Sequence, residues 1–247
     1  MARRDEILDF AATLLDLDAI ADYGPQGMQV EGAEEVTKVV CAVSSSRELF
    51  ERAAAAGAQL VVVHHGLLWD SESRVIDARV KARLRVLFDA EITLAAYHLA
   101  LDTHPEIGNN ALLARELGVT VEQPFAGIGV GGRLVQPLPV ETFVGEIRSA
   151  VGTDPLFFEE GPATVERIAI VSGGGARYLR DAAREGYHLF LTGEPSEPAL
   201  HDAHELGIHF VAAGHYATER LGVQALTARI AERYELEWEF VELPNPV

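Results

Sequence analysis

VVCAVSSSRELFERAAAAGAQLVVVHHG, residues 39–66, decides the fold once it is set beside IAIVSGGGARYLRDAAREGYHLFLTGE, residues 168–194. Each reads as an apolar strand, a triplet of small residues, an amphipathic helix, a glycine, a second apolar strand and a polar turn. Gly57 aligns with Gly186, each placed where a helix C-terminus favours a left-handed residue. On this alignment His64 falls opposite Gly193. The correspondence continues downstream. LAAYH (94–98) parallels VAAGH (211–215), and an acid follows four residues later in both copies, Asp102 in one and Glu219 in the other. The first copy carries the longer insert, residues 67–91.

Strands alternating with helices imply parallel units joined by right-handed crossovers. The predicted fold class is therefore α/β, with two similar βαβ-based lobes and mostly parallel sheets. The first lobe is predicted to span residues 1–124, carrying His64, His65 and Asp102, and the second residues 125–247, carrying His215 and Glu219. Residues 124–132 hold four glycines, and that shift in composition marks the expected boundary. Unbroken apolar strands such as 60–63 and 189–191 fit sheets covered on both faces. Ligands of such sheets sit beyond the carboxyl ends of the strands. His64 and His65, residues 98–102, Gly193, Glu194 and His215 all lie just past predicted strands. The expected site is a cleft between the lobes.

Composition narrows the function classes. The chain has 247 residues, 48% hydrophobic and 23% charged, enough to build a sizeable core and too apolar for disorder. The net charge of −18 opposes approach to nucleic acid or an anionic membrane. Only Lys38 and Lys81 are lysines; this fits either a GC-rich genome with a well-solvated surface or adaptation to a salty cytosol. Cys41 is the one cysteine, so an internal disulfide is excluded; its apolar surroundings predict a buried strand residue. Ile7, Phe10, Ala11, Leu14 and Leu15 predict an amphipathic N-terminal helix without the apolar run of a signal peptide. No stretch approaches the roughly 20 apolar residues of a membrane span. The expected location is the cytoplasm.

The residues at the strand ends suggest metal chemistry. Adjacent histidines on a strand point to opposite faces, yet at the turn into Gly66 both rings of His64 and His65 can swing to one centre. Two polar residues closing a strand would look the same. His215 and Glu219 fall on one face if a helix begins near Tyr216, which makes a chelating pair or an ordinary surface pair. Asp102 is available as a ligand if Asn109 caps the helix that follows. Five nitrogen and oxygen donors exceed the needs of one zinc and suit two divalent ions about 3.5–4 Å apart, with Glu219 as bridge. The donor set fits Zn, Mn, Fe, Co or Ni. Glu194 could act as a general base or belong to a solvated acidic loop. His98 could be a ligand or orient one. Residues 172–176, SGGGA, could cradle phosphate, but a tight turn packed on its neighbour is favoured, because the P-loop lysine is missing. GxSxG is absent, which disfavours a serine hydrolase.

At these residues the chain resembles the type 2 GTP cyclohydrolase I family, also called Nif-three-like dinuclear-metal proteins. The matching segments are GMQVEG (27–32), VVVHHGLLW (61–69), YHLALDTHPEIGNNALLARELG (97–118), VSGGGA (171–176), FLTGEPSE (190–197) and AAGHYATERLG (212–222). They span almost the whole chain and fit the short form that lacks an inserted domain. The resemblance implies a Nif-three-like fold of two α/β lobes and a homo-hexamer built as a trimer of dimers. It implies two divalent metals on His64, His65, Asp102, His215 and Glu219, with His98 lining the site. Many longer relatives place an Asp near Ser44, so a mechanism needing that acid is in doubt here. The family name implies a hydrolase that opens the imidazole ring of GTP with water and releases formate. Other purine derivatives, peptides and phosphoesters are also candidate small-molecule substrates. The competing expectation is a metal-binding ring, chaperone or store, without catalysis.

Overall fold

A computed structural model describes residues 1–247. In chain order its elements are β1 (Ala2–Arg3), α1 (Arg4–Leu15), β2 (Gly27–Val30), β3 (Glu35–Val36), β4 (Lys38–Ser44), α2 (Arg47–Ala55), β5 (Leu60–His65), α3 (Ala78–Asp89), β6 (Thr93–Ala96), α4 (Leu99–Asp102), α5 (Asn109–Glu116), β7 (Val119–Phe125), β8 (Gly129–Pro139), α6 (Val140–Val151), β9 (Leu156–Phe158), β10 (Thr164–Val171), α7 (Leu179–Arg184), β11 (Leu189–Thr192), α8 (Ala199–Leu206), β12 (His209–Ala212), α9 (His215–Tyr234) and β13 (Glu237–Phe240). Two compact units result. The first is Met1–Leu101 with Gly222–Leu243, and the second Asp102–Leu221 with Pro244–Val247. No helix is long and apolar enough to cross a membrane.

The main sheet of the first unit runs β13-β4-β5-β6-β2. Its first four strands are parallel and β2 is antiparallel to β6. Side chains alternate along each strand. Val40, Ala42, Val61, Val63, Leu94 and Ala96 share a core with Leu49, Phe50 and Ala53 of α2 and Leu87 of α3. Burying each large side chain of this set contributes about 1.5–3 kcal/mol. The intervening Val39, Cys41, Leu60, Val62 and Ala95 are buried as well. With both faces covered, these strands read as unbroken apolar runs. The Ser46 hydroxyl caps α2 by accepting from the Leu49 amide at 3.1 Å. Gly57, at φ +69°, lies just past its end.

In the second unit the sheet order is β7-β8-β10-β11-β12-β9. Only β10, β11 and β12 pair in parallel; β7, β8 and β9 are antiparallel. Ile168, Ile170, Leu189, Leu191 and Val211 pack with Phe143 and Ile147 of α6, whereas Ala169, Val171, Phe190 and Phe210 pack with Leu179 of α7 and Ala199 of α8. The repeat read in the sequence is thus present as β4-α2-β5-α3-β6 and β10-α7-β11-α8-β12.

Two expectations change. The division of the chain falls between Leu101 and Asp102 rather than at residue 124, and the first unit takes back Gly222–Leu243. The cause of the return is β13, whose parallel ladder on β4 gives the first sheet another strand. Residues 124–132 are not a boundary but part of the β7–β8 hairpin, with Phe125 opposite Gly129. The glycines there permit close approach. A Cβ on Gly131 would lie 1.8 Å from the Tyr187 hydroxyl oxygen, and one on Gly132 would lie 2.2 Å from the Thr120 carbonyl oxygen.

Candidate metal centre

In the first unit, β5 ends on His64 and His65, and the chain after β6 delivers His98. These three residues can each offer a ligand nitrogen, all within 4.8 Å of one another. The His64 and His65 ring centroids are 4.7 Å apart, and those of His64 and His98 are 5.0 Å apart. Each Nδ1 is held by the protein. His64 Nδ1 meets the Tyr97 carbonyl oxygen at 2.9 Å. A carbonyl only accepts, so this nitrogen carries the proton and Nε2 is the nitrogen with a lone pair to offer a cation. His65 Nδ1 meets the Ser44 hydroxyl at 2.9 Å. His98 Nδ1 meets Asp22 Oδ1 at 2.7 Å, and the Trp69 ring stands edge-on to His98 at 5.1 Å. Burial pushes the Asp22 carboxyl up, but the His98 contact and the amides of Leu99 and Tyr23 outweigh it and hold it below its ordinary value. Protein groups that orient imidazoles in this way are the usual support of a metal site. Gln29 fixes the turn after His65, its Oε1 accepting from the Leu67 and Leu68 amides at 2.7 and 3.0 Å.

The second unit gathers carboxylates around one imidazole. α9 begins at His215, not after it, so His215 and Glu219 lie one turn apart with Nε2 and Oε2 separated by 2.9 Å. Glu194, just past β11, is hydrogen-bonded to His215 Nδ1. Burial lowers the His215 pKa, but Glu219 and then Glu194 outweigh it and raise it to about 9. Asp102 and Glu219 each bring a carboxylate oxygen to within 4.8 Å of the other. Asp102 is buried and accepts from Asn109 Nδ2 at 2.8 Å. Asn109 is therefore a partner of Asp102, and the cap position of α5 belongs to Gly108. Glu219, shared by Asp102 and His215, is 3% exposed, and so dense a set of acids in the interior calls for a cation.

The glycine-rich turn explains how these groups come so close. Gly173 has φ +62°, and a Cβ there would lie 2.0 Å from Glu219 Oε1 and 3.0 Å from His215 Nε2. The amides of Ser172, Gly173 and Gly175 are taken by Asn110 Oδ1, Thr218 Oγ1 and Thr192 Oγ1. They are not displayed to a phosphate; the turn is a packing device. The donor chemistry and this cleared space both fit a divalent ion.

The structure thus brings His64, His65 and His98 together in one unit, and Asp102, Glu194, His215 and Glu219 together in the other. The sequence reading did not find Asp22, Tyr97, Gln29 or Thr218 as supports. Asp22 stands 76 residues from His98 and lies in no motif, so it carried no local signal. Ser44, noted as a departure from an acid, serves as the partner of His65.

Comparison with known proteins places the chain. The family described as Duf34/NIF3 (NGG1p interacting factor 3) matches residues 2–246. The chain is 44% identical over 233 residues to the GTP cyclohydrolase 1 type 2 homolog of Escherichia coli (strain K12), covering 94% of each. It is similar to the solved structure of protein ybgI, described as of unknown function, with a TM-score of 0.97, 42% identity and 100% of each chain covered. TTHA1606 from Thermus thermophilus has a TM-score of 0.92 at 37% identity, again over 100% of each chain. With its mixed α/β architecture and two main sheets, the chain belongs to the Duf34/NIF3 family and has the Nif3-like fold.

Proposed function

We propose that this chain is a dinuclear metal-dependent hydrolase, GTP cyclohydrolase I type 2-like, in which His64, His65, Asp102, His215 and Glu219 hold two divalent ions of the Zn, Mn, Fe, Co or Ni class. The observation that carries the reading is the paired donor sets: an imidazole cluster with each Nδ1 held by the protein, and an Asp–Glu–His group in which Asp102 and Glu219 are buried and His215 is half-buried. That both sets serve one centre is part of the proposal; the relatives named GTP cyclohydrolase 1 type 2 homolog support the choice of reaction class.

Bound there, divalent ions lower the pKa of water toward neutrality and polarise the group under attack. The chain does the rest. Tyr97, Ser44 and Asp22 hold the imidazoles at fixed angles, so little reorganisation accompanies loading. Glu194 keeps one oxygen on His215 and leaves its carboxylate partly exposed, so it orients that ring and is placed to accept a proton from the attacking water. The substrate class we favour is a purine nucleotide or related small molecule, acted on by a cytoplasmic homo-hexamer.

The test is direct. Metal-free protein is reloaded with each ion, and formate release from GTP is measured beside a panel of peptides and phosphoesters. Turnover that follows metal content and disappears in Glu219→Ala is expected. Stoichiometric metal without turnover on any substrate would instead support a non-catalytic metal-binding ring.

A further inference from the structure

The least expected group near the imidazole cluster is Asp22. Its side chain is 2% exposed, although it sits in an irregular stretch between α1 and β2. Every partner assigned to it is a donor. Oδ1 accepts from the Tyr23 amide at 2.7 Å and faces His98 Nδ1 at 2.7 Å; Oδ2 accepts from the Leu99 amide at 2.9 Å. Backbone amides cannot reverse their role, so the carboxylate acts throughout as acceptor and His98 Nδ1 must supply the proton. A neutral imidazole carries only one N–H. His98 Nε2 is then an unprotonated nitrogen, on a ring whose centroid lies 5.0 and 5.6 Å from those of His64 and His65.

We propose that Asp22 is the positioning residue that makes His98 a third imidazole donor beside His64 and His65, by fixing its proton on Nδ1. The donor role rests on the metal reading above; the tautomer does not. The alternative is a purely structural Asp22. Its contact with Leu99, the first residue of α4, and the Gln26 Oε1 contact with the Ala100 amide at 3.4 Å could simply tie down that short helix.

Asp22→Asn separates the two roles, because an amide offers one acceptor and one donor where the acid offered two acceptors. The Tyr23 amide is exposed and can turn to water. The Leu99 amide is less accessible, so the Asn oxygen should stay on it and the Asn NH2 should face His98. His98 Nδ1 must then accept, and its proton moves to Nε2. Metal-free wild type and Asp22→Asn, labelled with 15N in histidine, are compared by long-range 1H–15N correlation at about pH 8, where ordinary imidazoles are neutral. His98→Gln assigns the signals. Zinc affinity is measured on all three and on the double variant by competition with a chelator.

The expected result is an Nδ1–H tautomer for His98 in the wild type and Nε2–H in Asp22→Asn. Zinc affinity should fall about 10–100-fold in Asp22→Asn, by a similar factor in His98→Gln, and no further in the double variant. An Nε2–H tautomer in the wild type overturns the role of Asp22, even if Asp22→Asn fails to fold. So does an Asp22→Asn protein that keeps Nδ1–H, or additive losses in the double variant. A wild type that binds no zinc overturns the donor role together with the metal reading, while its tautomer still judges Asp22.

Discussion

The two copies of the repeat reach the same point in their topology with different donor chemistry. The first, β4 to β6 and the residues after it, presents three imidazoles and one acid, Asp102; the second, β10 to β12 and the start of α9, presents one imidazole between two glutamates. The difference begins where the second strand of each copy ends. There the first has His64 and His65, and the second has Gly193 and Glu194. A side chain at Gly193 would collide with the backbone at His215, its Cβ 2.7 Å from that Cα. The first copy therefore sends large rings into its strand end and orients them from outside. The second empties its strand end with glycine so that groups from α9 can enter. Nitrogen donors need fixed tautomers, whereas buried carboxylates need space and a positive partner.

Gly173→Ala should break the second set most severely. The added methyl would meet Glu219 Oε1 at 2.0 Å, on a backbone at φ +62° that alanine tolerates poorly. Loss of cation affinity by about 100-fold or more is expected by calorimetry, with the histidine signals of the first unit unmoved. Glu219→Gln should come next. It keeps the shape but removes the negative charge beside His215, so affinity should fall about 10–100-fold and the raised His215 pKa, about 9 here, should drop in an NMR titration of the metal-free protein.

Ser44→Ala sharpens the first set instead. It removes one neutral hydrogen bond to His65, worth about 1 kcal/mol, so zinc affinity should fall about fivefold. A loss as large as that of Glu219→Gln would mean the two sets are not supported differently. The smallest effect at neutral pH concerns the sheet behind the imidazoles. Burial pushes the Cys41 thiol up to about 12, with the Thr227 hydrogen bond opposing and the Glu239 charge adding to the shift. An ordinary thiol titrates near about 8.5. The folded value is the higher one, so this stabilising contribution is complete below about 8.5 and is lost as pH rises toward 12. Native protein at about pH 8 should resist thiol reagents that label it rapidly in urea.

Much of this could be read directly because the repeat is local. Each strand–helix–strand unit writes its period into a single stretch, and the paired histidines follow the apolar run 60–63 immediately. What could not be read depends on distant partners. Glycines look alike in a linker and in a crowded hairpin, so the β7–β8 turn passed for a boundary. The strand β13 is short, and nothing in EWEF names β4 as its neighbour. Asn109 has the chemistry of a cap, yet its amide is drawn to the buried Asp102 seven residues earlier. Asp22 is one of many acids in a chain of charge −18 until the fold sets it on His98.

The proposed chemistry requires the two donor sets to serve a single pair of ions. Anomalous diffraction from crystals of the zinc- or cobalt-loaded protein measures this directly. Two peaks per chain, about 3.5–4 Å apart and touching His64, His65, Asp102, His215 and Glu219, are expected. Loaded crystals with no peak at these residues, or with peaks too far apart to share Glu219, would contradict it.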